Sequence, residues 1–201
     1  MINIVEPGIE ILNAPDTYNA YQILAIAAAN CYQRKPSSNE DLVRKIVKKG
    51  HHSVLEHIQA TFSVTCDRAV SHEWVRHRIG VAYSQESQRY VSYKNDLDVI
   101  KPYWWDYAHE QMRDAFIASC SNAHMYYGIL RSEGLPPEAA RGVLPNATAT
   151  RIVVSMNLRS IIHFIELRGS EKAHPDIRFL AKELKRIFSE KYPAIFINLG
   201  E

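Results

Sequence analysis

The stretch Thr150-Arg-Ile-Val-Val-Ser-Met-Asn-Leu-Arg-Ser-Ile-Ile-His-Phe-Ile-Glu-Leu-Arg-Gly169 changes its hydrophobic period halfway along. From Thr150 to Met156 the segment is strand-like, because Ile152, Val154 and Met156 recur at every second position and share one face. After Asn157 the apolar residues recur at helical spacing, at Leu158, Ile161, Ile162 and Ile165. Asn157 is a favoured helix N-cap, and Gly169 follows the last periodic residue. The segment therefore predicts a strand that passes directly into an amphipathic helix.

The rest of the chain predicts further helices and strands in an irregular order. Helices are expected, in chain order, at 18–33, from Ser38 to Gly50, at 68–77, at about 106–132 and from His174 onward. Strands are expected at 61–66 and 87–93. Pro36 should end the first helix, and Gly134 with Pro136 the long one. Because the order lacks a regular strand–helix–strand rhythm, the sequence predicts an α+β fold and not a doubly wound sheet.

Composition limits the functional classes. The 201 residues suit a single domain, 1–201, and the net charge of +2 gives no support for binding long nucleic acids. The sequence has no apolar run long enough for a membrane helix and no basic leader at its N-terminus. Three widely spaced cysteines, Cys31, Cys66 and Cys120, indicate a reducing compartment. We therefore expect a cytoplasmic protein.

Several catalytic classes are disfavoured by spacing. His72 and His77 with Glu73 superficially resemble a zinc-hydrolase helix, but that pattern needs histidines four residues apart on one face. These two are five apart, and the nearby arginines would repel a dication, so no metal site is expected. Each cysteine is interpreted as a small core residue without a neighbouring base. The Gly-x-Ser-x-Gly turn of serine hydrolases does not occur in the sequence.

The arginines carry more information. Arg76 and Arg78 can bind two anionic groups through bidentate forks, although an isolated basic triplet is more often an exposed polar turn. Arg168 falls near the apolar side of its predicted helix, where a charge must be paired or meet a ligand. A favourable interaction with the helix C-terminus is the alternative explanation. The face with Arg159, His163 and Glu166 could simply be solvated.

Together these segments resemble the flavin-dependent thymidylate synthases. The family signature is Arg-His-Arg, seven residues and Ser; here Arg76-His77-Arg78 is followed by eight residues and Ser87. Four further blocks match in order, namely Gly50-His51-x-Ser53-x-x-Glu56-His57, Ala140-Arg141-Gly142-Val143-Leu144-Pro145, Asn157-Leu158-Arg159-Ser160 and Glu166-Leu167-Arg168. The resemblance spans about 10–195. It implies an α+β fold with a mixed or antiparallel sheet, several helices and one long helix.

The resemblance also implies a reaction, cofactors and site residues. The family makes dTMP from dUMP, with methylenetetrahydrofolate as carbon donor, FAD as hydride carrier and NADPH as reductant, in homotetramers whose sites lie at subunit interfaces. Residues implied to contact dUMP are Glu73, Trp74, Val75, Arg76, Gln85, Glu86, Ser87, Gln88, Arg89, Arg141 and Arg168. Those implied to contact FAD are Ser53, Glu56, Arg76, His77, Arg78, Gln85, Asn157, Leu158, Arg159 and His163. His51 is expected near the flavin and the folate.

The chemistry agrees with this interpretation. Methylation at C5 of uracil needs electron density pushed from the N3 side of the ring, and a cation beside N3 and O2 favours the ionised pyrimidine. We assign that role to Arg168, which explains why no cysteine nucleophile is needed and makes Ser87 a binding residue. Two alternatives remain open: a nucleotide- or RNA-binding module without catalysis, and a metal-dependent hydrolase.

Overall fold

The structure, a computed structural model, describes residues 1–32, 38–196 and 199. The chain folds into two compact units. The first unit comprises Met1–Gly8, Val64–Arg76 and Ser84–Ile152, and the second comprises Ile9–Ser63, His77–Tyr83 and Val153–Glu201. The predicted ends of the first helix, Gln33 and Pro36, lie outside the described residues.

Within the part of the chain that the structure describes, six strands form two sheets. Strands β1 (Ile2–Val5) and β5 (Leu97–Ile100) form a parallel pair in the register Ile2 opposite Leu97. An antiparallel sheet has the order β2-β3-β6-β4, built from β2 (Gly8–Asn13), β3 (Gln59–Asp67), β4 (Val81–Gln85) and β6 (Ala149–Asn157). In β6 the inward side chains Ile152, Val154 and Met156 are fully buried, as their spacing at every second position predicts. The α+β prediction is confirmed.

The first unit packs around its long helix. It contains α3 (Arg68–Trp74), α4 (Glu110–Ser132) and α5 (Pro137–Ala140), with 3-10 turns at Trp105–Tyr107 and Arg141–Val143. Tyr127 and Cys120 of α4 pack against Tyr93, Leu97 and Val99. The Tyr93 and Tyr127 rings meet edge to face at 5.9 Å between centroids. Burial of these aromatic and aliphatic side chains fixes α4 against β5.

The second unit is mainly helical. It contains α1 (Thr17–Tyr32), α2 (Asn39–Lys48), a 3-10 segment at His52–His57, α6 (Leu158–Arg168), α7 (Pro175–Lys191) and α8 (Pro193–Phe196). Two of the predicted caps are present: Ser38 accepts a hydrogen bond from the Asp41 amide, and Asn157 accepts one from the Ser160 amide. The core is aromatic where Phe62 and Phe188 meet edge to face.

Three expectations need correction. The segment 87–93 is not a strand: Gln88 to Tyr90 form a turn, and the strand comes earlier, at Val81–Gln85. The helix expected over 68–77 ends at Trp74, so the Arg76-His77-Arg78 triplet lies in the turn that follows it. The long helix begins at Glu110, after a separate 3-10 turn. Strands β1, β2 and β5 were not predicted, because segments of four to six residues are too short for their periodicity to identify a strand.

Candidate active site

A cavity of about 320 Å³ opens in the second unit beside the histidine-rich segment. Its lining residues come from α1, α2, the 3-10 segment with the residues before it, and α6, namely Ala28, Ile46, Gly50, His51, His52, Ser53, Val54 and Arg159. Gly50 adopts φ +74°, which lets the chain reverse after α2 and bring the histidines to the cavity wall. The volume is at the lower end of ordinary ligand pockets. The lining combines apolar side chains with imidazole, hydroxyl and guanidinium groups.

Arg159 is oriented by an acidic partner. Its Nη1 lies 2.5 Å from Oε1 of Glu56, and both side chains are about half exposed. The pair joins the first turn of α6 to the 3-10 segment. It brings together two motif residues, Glu56 and Arg159, that are distant in the sequence. Because both side chains are exposed, the ion pair adds little to stability, and its main effect is to orient the Arg159 guanidinium. His163 is also exposed, one turn further along α6.

His77 and Arg168 form a further polar contact among the expected site residues of the second unit. Arg168 donates from Nε to Nε2 of His77 at 3.1 Å. His77 is buried, and its ring meets Phe164 edge to face at 4.9 Å and His163 at 5.9 Å. Burial, then the charge of Arg168 and then His163 lower the pKa of His77 to about 4. The imidazole is therefore neutral at physiological pH.

The turn after His77 is fastened to the start of α6. The main-chain N–H of Asn157 donates to the Gly80 carbonyl at 3.4 Å, and the Ser160 hydroxyl donates to the Ile79 carbonyl at 2.8 Å. Gly80 has φ +67°, and a Cβ at this position would lie 2.5 Å from Nδ2 of Asn157. Only glycine fits so close an approach. The loop that is one residue longer than the family signature is thus a tight turn followed by β4, with Arg78 exposed at its start.

In the first unit, Gln85 is held by two buried hydroxyl groups. Its Nε2 donates to Oγ of Ser71 at 3.0 Å and to Oγ1 of Thr150 at 3.3 Å. Both hydroxyl-bearing residues are almost fully buried. Since both donors of the amide group point to these hydroxyls, the Gln85 carbonyl oxygen keeps a fixed orientation.

The residues that follow Gln85 form a turn with several internal contacts. Glu86 accepts a hydrogen bond from the Tyr93 hydroxyl at 3.0 Å, and burial, together with that neighbouring carboxylate, raises the pKa of Tyr93. Ser87 Oγ accepts from the Arg89 amide at 3.3 Å. The Arg89 guanidinium lies 5.6 Å from the centre of the Tyr90 ring. Arg89 and Arg141 are exposed and therefore accessible to an anionic ligand.

Comparison with known proteins decides which family this arrangement belongs to. The family model described as "Thymidylate synthase complementing protein" matches residues 15–194. Flavin-dependent thymidylate synthase from Geobacter sulfurreducens is 41% identical over 189 residues, covering 88% of this chain and 81% of the relative. The enzymes of the same name from Mycobacterium tuberculosis and Mycobacterium avium are 39% and 37% identical, each over 88% of this chain and 78% of their own length.

The chain belongs to the flavin-dependent thymidylate synthase family. The resemblance that the motif segments indicate is therefore confirmed, and with it the prediction of an enzyme of this family.

For a member of the flavin-dependent thymidylate synthase family, two of the expected ligand-binding residues are unusually placed. The side chains of Trp74 and Leu158 are fully buried. The Leu158 amide donates to the Ile58 carbonyl at 3.0 Å, so this residue ties α6 to the segment that precedes β3. Neither residue therefore presents a surface to a ligand in this structure. Their neighbours Val75 and Arg159 are exposed.

The sequence patterns did not identify the residues that hold the motif side chains in position. Ser71 and Thr150 hold Gln85, while Gly80 and Ser160 hold the turn after Arg78. One signal was available: Thr150 falls in the apolar phase of β6, in line with Ile152 and Val154, and a hydroxyl there must find a partner. The contacts of Ser160 and Gly80 depend on a turn that lies far from α6 in the sequence, so no local pattern shows them.

Two further properties bear on the class of site. Within residues 1–32 and 38–196, no cluster of three or more His, Cys, Asp or Glu side chains is placed to hold a metal ion. Over the same residues, no helix combines the length and the apolar character that crossing a membrane requires. Cys66 and Cys120 are buried and unpaired by disulfides, and burial raises the pKa of both thiols, that of Cys66 to about 12. A buried thiol with a raised pKa is a poor nucleophile.

Proposed function

We propose that this chain converts dUMP to dTMP by reductive methylation, with methylenetetrahydrofolate as carbon donor, FAD as hydride carrier and NADPH as reductant. The observation that carries the proposal is the Arg168–His77 contact, in which a guanidinium is set against a neutral imidazole at 3.1 Å. The family membership supplies the reaction class, and the orientation of Arg168 supplies a group able to activate a pyrimidine without a cysteine. Cys66 and Cys120 are too deeply buried to attack a substrate.

Most of the expected FAD-binding residues lie in the second unit, and their groups fit a flavin nucleotide. Phosphates suit guanidinium groups, and the ring edges and ribitol of FAD suit hydroxyl and imidazole groups. Such groups line the 320 Å³ cavity, which is of a size to accept part of a dinucleotide. We assign the FAD site to Ser53, Glu56, Arg76, His77, Arg78, Gln85, Asn157, Leu158, Arg159 and His163. Leu158 is fully buried and holds its neighbours in place. When bound, the flavin supplies the hydride; His51 would lie beside it and the folate.

Most of the expected dUMP-binding residues lie in the first unit, and their groups fit a nucleoside monophosphate. Exposed arginines bind phosphate through two parallel N–H groups, and the Gln85 carbonyl is pre-oriented by Ser71 and Thr150. We assign the dUMP site to Glu73, Trp74, Val75, Arg76, Gln85, Glu86, Ser87, Gln88, Arg89, Arg141 and Arg168. Trp74 is fully buried and holds its neighbours in place. Ser87 binds and does not attack, because its Oγ already accepts from the Arg89 amide.

Arg168 would polarise the pyrimidine. A fixed cation beside N3 and O2 stabilises the negative charge that develops on the ring as C5 becomes nucleophilic. The effect is largest when the cation is already oriented, since no reorganisation is then required in the transition state. The contact with His77 provides that orientation in the structure.

The proposal is tested first on the purified protein. We expect a yellow protein with a flavin absorption spectrum, NADPH oxidation that dUMP stimulates, and dTMP as product when methylenetetrahydrofolate is present. A colourless protein that cannot be reconstituted with FAD would instead support a nucleotide-binding module without catalysis, which is the alternative that the motifs leave open.

The role of Arg168 is tested by Arg168→Ala. Loss of one preorganised charge at a developing anion should lower dTMP formation by about 10²–10³-fold while the bound flavin is retained. Turnover and the flavin spectrum are the measurements. Arg186→Ala is the control, because Arg186 is exposed and paired with Glu183 and Glu190 on α7. An Arg168→Ala enzyme that loses flavin and keeps dUMP binding would refute the assignment.

We further propose that the chain acts as a single-domain subunit of a homotetramer with active sites at subunit interfaces. Support comes from α4: from Ala115 to Leu130 it contains no Asp, Glu, Lys or Arg. Nevertheless Met125, Tyr126 and Ile129 are about half exposed. An uncharged, apolar exposed helix face is typical of an interface. A cytoplasmic location is proposed from the unpaired cysteines and is tested by cell fractionation.

A further inference from the structure

We propose that His77 is a positioning residue for Arg168: its Nε2 accepts the hydrogen bond that sets the orientation of the guanidinium toward the pyrimidine. This inference rests on the role proposed for Arg168. It differs from a ligand-binding role of His77, because the imidazole acts through another protein side chain.

The geometry assigns the tautomer. An arginine Nε always carries a hydrogen and can only donate, so Nε2 of His77 must be the acceptor in the 3.1 Å contact. The neutral ring then carries its proton on Nδ1. A protonated imidazole would offer no acceptor and would repel the guanidinium. Burial and the facing charge of Arg168 keep the pKa of His77 at about 4, so the acceptor form prevails at neutral pH.

The imidazole is itself held in place. Its ring packs edge to face on Phe164 and contacts the His163 ring, both from α6. Its main-chain carbonyl accepts a hydrogen bond from the Tyr83 hydroxyl at 3.0 Å. Burial raises the pKa of Tyr83 to about 12, so this phenol stays a donor. A side chain fixed by packing and by its main chain can orient a longer, more flexible partner.

The choice of Nε as the donor has a geometric consequence. Nε lies at the stem of the guanidinium, so a bond there fixes the rotation of the whole planar fork about the side chain. Orientation of a charge that is felt mainly in the transition state should affect kcat more than KM. That difference separates a positioning role from simple substrate binding.

Two variants at position 77 separate the acceptor from the ring. His77→Phe keeps an aromatic ring against Phe164 but removes the acceptor. His77→Gln keeps an acceptor oxygen near the place of Nε2. Because hydrogen bonds to charged groups are strong, we expect His77→Phe to lower kcat for dTMP formation by about tenfold or more. The KM for dUMP should change less than about threefold. His77→Gln should recover most of the lost kcat.

The tautomer provides a second test that needs no variant to fold. In protein with 15N-labelled histidine at pH 7, the His77 ring should show its proton on Nδ1. A proton on Nε2 would overturn the inference, as would equal losses of kcat in His77→Phe and His77→Gln or wild-type kcat in His77→Phe. Failure of the role of Arg168 is separate, because Arg168→Ala would then retain dTMP formation whatever happens at position 77.

Discussion

At the scale of single residues, His77 decides how the basic motif is used. The sequence places it between two arginines, which suggests a cationic cluster, yet the structure buries it and leaves Arg76 and Arg78 exposed. Desolvation disfavours the charged imidazole, and the nearby Arg168 adds repulsion. The triplet therefore contains two exposed guanidinium groups and one neutral hydrogen-bond acceptor.

The lowered pKa of His77 predicts a pH-dependent contribution to stability. The unfolded chain takes up a proton at this histidine below about pH 6.5, but the folded chain does so only near pH 4. The contribution is therefore complete above pH 6.5 and is lost as the pH falls toward 4. We expect the Tm of the wild-type protein to drop more steeply over this window than that of His77→Gln. Equal slopes by calorimetry would show that His77 is not buried in its neutral form.

At the scale of elements, the turn after His77 and helix α6 behave as one part. Arg168 contacts the turn from the last residue of α6, while Asn157 and Ser160 contact it from the first turn. The same Asn157 also caps α6 through its side-chain carbonyl oxygen. Position and orientation of the turn are therefore set by both ends of one rigid helix.

The close approach at Gly80 can be tested against a second left-handed glycine. Gly80→Ala and Gly50→Ala both place a Cβ at positive φ, which should cost about 1 kcal/mol of unfolding free energy in each case. At Gly80 the Cβ would also meet Asn157 and Ser160 at 2.5 and 2.8 Å, whereas nothing lies within 4 Å at Gly50. We expect an extra loss of about 1–3 kcal/mol at Gly80.

Urea unfolding at one fixed protein concentration measures both variants. A Gly80→Ala protein no less stable than Gly50→Ala would mean that the turn can move away from α6. In that case the orientation of Arg78 and Arg168 would not depend on this contact.

At the scale of the whole molecule, the exposed face of α4 governs the predicted assembly. Its side chains Met125 and Ile129 are half exposed, and the run around them has no charge. Met125→Glu would place a carboxylate inside the proposed interface, where it must lose its hydration. We expect the tetramer to dissociate in sedimentation velocity experiments and dTMP formation to fall at least about tenfold as the interfacial sites are lost.

Met112→Glu is the matched control for this change. Met112 lies on the same helix and is 45% exposed, against 50% for Met125, but it precedes the uncharged run. It also lies in the first turn of α4, where a negative charge is favourable. Dissociation by both variants alike, or by neither, would place the interface elsewhere.

The amino-acid sequence by itself determined the α+β class, the strand β6 with the helix α6 that follows it, and the family. These follow from local information: periodicity reports which face is buried, and caps such as Asn157 report where a helix begins. Motif residues at fixed spacing carry the family. The sequence did not determine where α3 ends before the basic triplet, nor the strand at Val81–Gln85. The pattern of β4 is irregular, and the strand is fixed by its pairing with β6.

Only the tertiary structure decided that His77 is a neutral acceptor for Arg168, that Gly80 lies against Asn157, and that Ser71 and Thr150 hold Gln85. The physical reason is the same in each case. Protonation state, close approach and hydrogen-bond partners depend on which residues distant in sequence exclude water from the group, and no local pattern records those neighbours.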